Sequence, residues 1–167
     1  LHGSSAASDV YKRQVISIHA VNGIEVATET MWHQATKLGI PKILVVNGLD
    51  REHVTFDTVL SQARRRFGNN VFPMQLPVNP GPGYNQNIDV LRKELISYQA
   101  DGSGRMKESE LPSNFKERVS TLHQELIEYV AESDDALLEK FFEQGNLSED
   151  EMRLSLIHIS EPTRPSS

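Results

Sequence analysis

The sequence predicts an α/β fold, and two patterns in its first half carry that prediction. Short β-branched, apolar runs alternate with amphipathic helical stretches in the order strand, helix, strand, helix. The second run, at 42–47, places four apolar residues in a row, which is typical of a strand buried on both faces of a parallel sheet. The order of elements implies that right-handed crossover helices connect the strands of such a sheet.

Residues 15–70 form the first predicted unit. The β-branched run at 15–21 predicts a strand that a turn ends. Apolar residues spaced by three and four positions predict a helix on each side of the second strand, and Gly39 and Gly68 end these helices. The two apolar stripes are Ala27, Met31, Ala35 and Leu38, and then Phe56, Val59, Leu60, Ala63 and Phe67.

Residues 71–153 form a second predicted unit that begins with strands. Alternating apolar residues at 72–78 are interrupted by prolines, so an edge strand or an irregular extended segment is expected there. Apolar runs at 88–91 and 95–98 predict two more strands, and the Gly-rich stretch 101–104 predicts a turn between strands or before a helix.

Three helices are expected to follow these strands. Ser113 is predicted to cap the first, whose apolar stripe is the strongest helical pattern in the chain. A shorter helix is expected after residues 133–135, and the capping box at 148–151 is expected to open a third. The apolar residues of the first two helices are Phe115, Val119, Leu122, Leu126 and Val130, and then Leu137, Leu138, Phe141 and Phe142.

The composition excludes several classes of protein. The chain has 167 residues, 17 Lys and Arg, 23 Asp and Glu and no Cys, with a formal net charge of −6. The lack of Cys excludes a disulfide scaffold and a Cys-based metal site, and the net charge disfavours a general DNA-binding surface. Because no apolar run approaches the length of a membrane span, we expect a cytoplasmic protein without a membrane partner.

Charge is unevenly distributed between the two ends of the predicted fold. Residues 15–107 carry 10 basic and 8 acidic side chains, a net +2, whereas residues 108–153 carry 4 basic and 13 acidic ones, a net −9. Such a break indicates structural units with different neighbours.

The two ends of the chain have a different character. Residues 4–14 read as the in-frame translation of a transposase-type sequencing adapter, and residues 154–164 read as that of the partner adapter. We therefore expect residues 1–14 and 154–167 to be adapter-derived artefact, a natural tail being the alternative. The remaining residues, 15–153, are expected to be a piece of a longer gene.

The segment Asn47-Gly48-Leu49-Asp50 is the strongest candidate for a binding site. It directly follows the predicted buried strand, and ligands of open α/β sheets bind at the carboxyl ends of strands. The Asp50 carboxylate can accept from the N1–H and the exocyclic amine of guanine, and adenine lacks both donors. The Asn47 side chain can tie the neighbouring loops and reach the base N7.

The same four residues have a structural alternative. With nine Asn and seven Asp among the 139 residues from 15 to 153, about 0.45 N-x-x-D matches are expected by chance. If the match is accidental, Asn47 and Asp50 only stabilise a loop. The histidines show no metal-ligand spacing, so no metal site is expected. No G-x-x-x-x-G-K-[ST] phosphate-binding motif occurs in the sequence.

Several segments, taken in order, resemble elongation factor G, the ribosomal translocation GTPase. The resemblance covers essentially all of residues 15–153, and it favours the guanine interpretation of Asn47 and Asp50 over a chance match. The segments that carry it are AVNGIEVATET (20–30), LGIP (38–41), VVNGLDRE (45–52), FPMQLP (72–77), IDV (88–90) and EYVAESDDALLEKFF (128–142).

The resemblance implies an incomplete P-loop-GTPase-like parallel sheet with an inserted α+β, helix-rich subdomain. Residues 15–70 then form the C-terminal part of a G domain, and residues 71–153 form the inserted subdomain. In the family an N-K-x-D motif reads guanine; Asn47 and Asp50 match it, but Gly48 replaces the Lys. The Lys stem covers the base, so its absence is expected to cost about 1–2 kcal/mol of apolar contact.

The resemblance also implies cofactors and partners of the full-length protein. These are GTP or GDP, with Mg²⁺ held by segments that this sequence does not contain, and the ribosome with its stalk protein. No catalytic residue of the family has a counterpart here, so the isolated chain is expected to be inactive as a GTPase. Two alternatives stay open: an acidic helical interaction module without nucleotide binding, and an α/β piece of another nucleotide-binding protein or of one with no ligand.

Overall fold

The computed structural model describes residues 13–159. Most of the two stretches expected to be adapter-derived, residues 1–12 and 160–167, lies outside the described residues. The described remainder beyond Arg13 is in regular structure, because a strand begins at Gln14 and the last helix, Glu149–Ile159, runs past residue 153. The origin of these end segments stays a prediction.

The first unit has the predicted order of strand, helix, strand and helix. Its elements are β1 (Gln14–His19), α1 (Val26–Lys37), β2 (Lys42–Asn47) and α2 (Phe56–Phe67). The two strands are parallel and in full register, from Gln14 opposite Lys42 to His19 opposite Asn47. The α/β class with a parallel sheet is therefore confirmed.

One face of this two-stranded sheet is buried and the other is exposed. Ile16 and Ile18 are 0% and 1% exposed, whereas Val15, Ile43 and Val45 on the opposite face are 57%, 51% and 45% exposed. The prediction that β2 is buried on both faces is therefore wrong for the described chain. The four apolar residues in a row signalled a covered sheet, but here only one face is covered.

The second unit begins with a four-stranded antiparallel sheet in the order β3-β4-β5-β6. The strands are β3 (Gln75–Pro77), β4 (Gln86–Asp89), β5 (Glu94–Tyr98) and β6 (Met106–Glu110). As predicted, the proline-flanked segment forms an edge strand. Strand β6 was not predicted, because all five of its side chains are exposed and its pattern has no apolar alternation.

Three helices follow: α3 (Lys116–Glu132), α4 (Asp135–Gln144) and α5 (Glu149–Ile159). The prediction that Ser113 caps α3 is wrong, since a 3₁₀ turn, Ser113–Phe115, precedes that helix. The capping box of α5 is confirmed: the Glu151 N–H donates to the Ser148 hydroxyl at 3.3 Å and the Ser148 N–H donates to the Glu151 carboxylate at 3.1 Å.

Two buried clusters hold the second unit together. One joins α3 to α4 and α5, and the other joins α3 to the antiparallel sheet. The ion pair between Arg118 on α3 and Asp57 on α2 links the two units. The clusters comprise Leu126, Ile127, Val130, Ala131, Leu147 and Met152, and Leu76, Ile88, Val90 and Val119.

Candidate functional site

The candidate residues lie where both parallel strands end. Because β1 and β2 are in register, His19 and Asn47 are the last residues of neighbouring strands. The Ala20 N–H donates to the Asn47 carbonyl at 2.8 Å, so the pairing extends one residue past β1. The 47–50 turn, Asn47 to Asp50, therefore opens at the carboxyl edge of the sheet, where open α/β sheets bind their ligands.

The 47–50 turn presents both predicted polar side chains to solvent. Asn47 and Asp50 are exposed, whereas Leu49 between them is only 7% exposed and anchors the turn. The Asn47 Oδ1 accepts from the Gly48 N–H at 2.9 Å, and the Arg51 N–H donates to the Gly48 carbonyl at 3.3 Å. The Asp50 carboxylate is thus free of the protein interior and available to a ligand.

Gly48 is required by the backbone and by its surroundings. Its φ of +75° lies in the left-handed region, which residues other than glycine rarely adopt. A Cβ at this position would lie 2.8 Å from Nε2 and 2.9 Å from Cε1 of His19. The imidazole therefore occupies the space that a side chain at position 48 would need.

His19 is the residue of this site that the sequence analysis did not assign. Its ring is held at the strand end because Nδ1 accepts from the Val21 N–H at 3.3 Å. In the neutral ring the proton is then on Nε2, the atom that faces Gly48. Its position near the end of the first predicted strand, at 15–21, was the signal, since strand ends of one parallel sheet meet at one edge.

A loop of the second unit touches the 47–50 turn. The Gly81 N–H donates to the Leu49 carbonyl at 2.7 Å. Asn79 shapes this loop, because its Oδ1 accepts from the backbone N–H groups of Asn85 and Gln86 at 3.3 and 3.0 Å. The loop connecting β3 to β4 therefore forms one wall beside the turn.

Tyr84 belongs to the same loop, and its N–H donates to the Gly81 carbonyl at 3.0 Å. Burial raises the pKa of the Tyr84 hydroxyl above its ordinary value, partly offset by its hydrogen bond to the Asn87 side chain. The hydroxyl therefore stays a neutral donor to Asn87 over the physiological range.

The second unit carries a further cavity, and residues 47–50 do not line it. A cavity of about 540 Å³ lies beside β5 and β6 and is lined by side chains of both charges, among them Arg92, Glu108 and Lys116. Across residues 13–159, no group of three or more His, Asp or Glu side chains is arranged to hold a metal ion. No helix in the same range has the length and apolar character needed to span a membrane.

The sequence and the fold of the chain resemble known proteins. The chain is similar to a Thermus thermophilus protein of known crystal structure, with a TM-score of 0.76 and 28% sequence identity. The match covers 89% of this chain and 22% of the Thermus chain, so this chain spans less than a quarter of that protein. The family model of the elongation factor Tu GTP binding domain matches residues 4–157. Since that match takes in most of the sequence, the chain belongs to the elongation factor Tu GTP binding domain family.

Proposed function

We propose that this chain is the guanine-recognising part of a translational GTPase similar to elongation factor G. One observation carries the proposal: Asn47 and Asp50 are both exposed in the same turn, at the carboxyl edge of a parallel sheet. Family membership supports a guanine nucleotide as the ligand.

The discrimination between bases follows from hydrogen-bond chemistry at Asp50. Its carboxylate accepts from the N1–H and the exocyclic amine of guanine, and charge-assisted bonds of this kind contribute roughly 1.5–3 kcal/mol each. Adenine has neither the N1–H nor the 2-amino group, so the carboxylate beside adenine would lose its water without gaining partners. Sites built around such donors discriminate by on the order of a thousandfold or more.

The remaining activity is proposed for the longer protein. There, GTP and GDP bind with Mg²⁺, and hydrolysis promotes ribosomal translocation in the cytoplasm. The phosphate-binding motif G-x-x-x-x-G-K-[ST] does not occur in this sequence. We therefore assign residues 15–70 to the later part of a G domain and residues 71–153 to an inserted subdomain, and we assign no Mg²⁺ ligand to this chain.

The test compares nucleotide monophosphates on the chain itself. Backbone amide signals of the isotope-labelled chain are followed during titration with millimolar GMP, AMP and XMP. We expect GMP to shift the amides of the 47–50 turn and AMP to leave them in place. Asp50→Asn should weaken GMP and strengthen XMP, because an amide N–H can donate to the 2-oxo group of xanthine.

The matched control is Asp101→Asn, which changes an exposed turn aspartate between β5 and β6. It should leave the preference for GMP unchanged. If Asp50→Asn binds GMP and XMP as the parent chain does, Asp50 does not read the base. Tight GMP binding by the isolated chain would contradict the proposed absence of phosphate contacts.

A second candidate function rests on the acidic surface of residues 108–153. Twelve of the 13 carboxylates in this range are exposed. We propose that this surface binds a basic or amphipathic surface of the ribosomal stalk protein. The exposed carboxylates are Glu108, Glu110, Glu117, Glu125, Glu128, Glu132, Asp134, Asp135, Glu139, Glu143, Glu149 and Asp150.

Salt dependence tests this second function. Exposed charges are screened over a distance of about 8 Å at physiological ionic strength, so the affinity for purified stalk protein should fall as salt rises. Isothermal titration at several salt concentrations measures it. An affinity that does not depend on salt would argue against recognition through charge.

A further inference from the structure

The imidazole of His19 lies where a side chain at position 48 would stand. A Cβ built on Gly48 meets the far edge of the ring, with Nε2 at 2.8 Å and Cε1 at 2.9 Å. A real Cβ essentially never comes this close to another heavy atom, so a side chain at 48 would force the imidazole out of its present position. The present position of the ring therefore depends on the absence of a side chain at Gly48.

The ring is also held at the ligand edge of the sheet. His19 is the last residue of β1, directly opposite Asn47, and its Nδ1 accepts from the Val21 N–H at 3.3 Å. The side chain is nevertheless exposed. The exposed aromatic ring is anchored beside Asn47. It offers a flat surface next to Gly48, the position at which this chain has no lysine stem.

We propose that His19 is a base-contacting residue of this nucleotide site and that its ring covers the base in place of the lysine stem that Gly48 does not provide. The inference rests on the proposed guanine function of Asn47 and Asp50. Flat aromatic rings stack on bases without reading their edges. His19 should therefore add affinity, and Asp50 should keep the choice of base.

The first test removes and then restores the ring. In the GMP titration of the full chain, His19→Ala should weaken binding about tenfold, a typical effect of removing one aromatic ring that stacks on a base. His19→Phe should bind within about twofold of the parent, because the flat surface returns. The control is His33→Ala, which changes an exposed histidine on α1 and should leave GMP affinity unchanged.

The second test uses the mutual exclusion between the two positions. Gly48→Lys alone should not strengthen GMP binding, since the new Cβ displaces the imidazole. The double variant His19→Ala/Gly48→Lys should bind more tightly than His19→Ala, because the lysine stem can then cover the base. The affinity changes of the two single variants will therefore not add up to that of the double variant.

The outcomes distinguish a failure of the His19 inference from a failure of the proposed guanine function. If GMP shifts the 47–50 amides and Asp50→Asn changes base preference, but His19→Ala binds GMP as the parent does, His19 does not contact the base. If GMP shifts none of these amides in the parent chain, the guanine function fails, and the inference fails with it. Circular dichroism of each variant confirms that it is folded.

Discussion

The backbone N–H of Gly81 donates a 2.7 Å hydrogen bond to the carbonyl of Leu49, and this bond joins the candidate base-reading turn to the second unit. Leu49 lies between Asn47 and Asp50, so any movement of the loop before β4 acts directly on their backbone. The bond gives residues 71–153 a physical route to the proposed nucleotide site.

Gly81→Ala should loosen the 47–50 turn. The φ of Gly81 is +114°, a conformation that alanine adopts only with strain, so the substitution should cost about 1–3 kcal/mol or break the bond to Leu49. We expect faster hydrogen exchange at the amides of Asp50 and Arg51. Nuclear magnetic resonance measures these rates residue by residue.

Gly102→Ala is the matched control for backbone strain. Gly102 has a φ of +72° in the turn between β5 and β6, far along the chain from the 47–50 turn. Its substitution should lower stability but leave the exchange of Asp50 unchanged relative to global unfolding. Equal effects of the two variants at Asp50 would show that the Gly81 bond does not restrain the turn.

The packing of α3 should dominate the stability of the second unit. Leu126 is 2% exposed and lies in the cluster that joins α3 to α4 and α5. Leu126→Ala should lower the free energy of unfolding by about 2–5 kcal/mol, because less apolar surface is buried and a cavity is left behind.

Urea denaturation measures that change, with Phe142→Ala as the control. Phe142 is 77% exposed on α4, so its removal should change the unfolding free energy by less than about 0.5 kcal/mol. Similar losses for both variants would contradict the assignment of Leu126 to the core.

His123 should make the fold sensitive to mild acid. Burial lowers the pKa of His123 below its ordinary value of 6.5; nearby Lys93 lowers it further, and a 3.0 Å hydrogen bond to the Val90 carbonyl opposes both. When the pH falls below 6.5, the unfolded chain binds a proton that the folded chain resists. Stability should therefore decrease as the pH falls from 7.5 to 5.5, values chosen roughly one unit to either side of an ordinary histidine pKa.

His123→Asn should reduce this pH dependence, since asparagine keeps a donor for Val90 but does not titrate. Melting temperatures at the two pH values measure the effect, and His33→Asn, at an exposed position, is the control. A pH dependence that survives unchanged in His123→Asn would assign it to another group.

The open face of the parallel sheet should make the chain associate with itself and limit its solubility. Ile43 and Val45 expose apolar surface beside strand edges, and such surfaces promote association. Ile43→Lys should raise the concentration at which association begins by about tenfold, the equivalent of removing one large apolar contact.

Sedimentation velocity over a concentration series measures that threshold. Val26→Lys is the control, because Val26 is 82% exposed on α1 and lies outside the sheet. It should leave association unchanged. A parent chain that stays monomeric at every concentration would show that the open face is harmless.

Local pattern was enough to predict most helices and the parallel strands. The stripe from Phe56 to Phe67 gave the bounds of α2, because one strongly apolar face at helical spacing leaves few alternatives. The edge strand β6 could not be found in this way, since its exposed polar residues become a strand only by pairing with β5. Ser113 failed as a cap for a similar reason, because Phe115 packs into the core and the chain turns before α3 begins.

Only part of the candidate site could be predicted from the sequence. Asn47 and Asp50 follow a recognisable strand, so their exposure at a sheet edge could be anticipated. The contact of His19 with Gly48 joins residues 29 positions apart in sequence and depends on the register of the two strands. No local pattern contains that register.

The exclusion between the ring of residue 19 and any side chain at residue 48 also orders the mutational paths open to this chain. A lineage that acquires lysine at position 48 while histidine remains must displace the His19 ring, because a Cβ at position 48 would lie 2.8 Å from its Nε2. A lineage that first shortens residue 19 avoids this displacement and meets only the backbone strain of a side chain at a φ of +75°. Among natural sequences, a bulky residue at either position should therefore coincide with a small residue at the other.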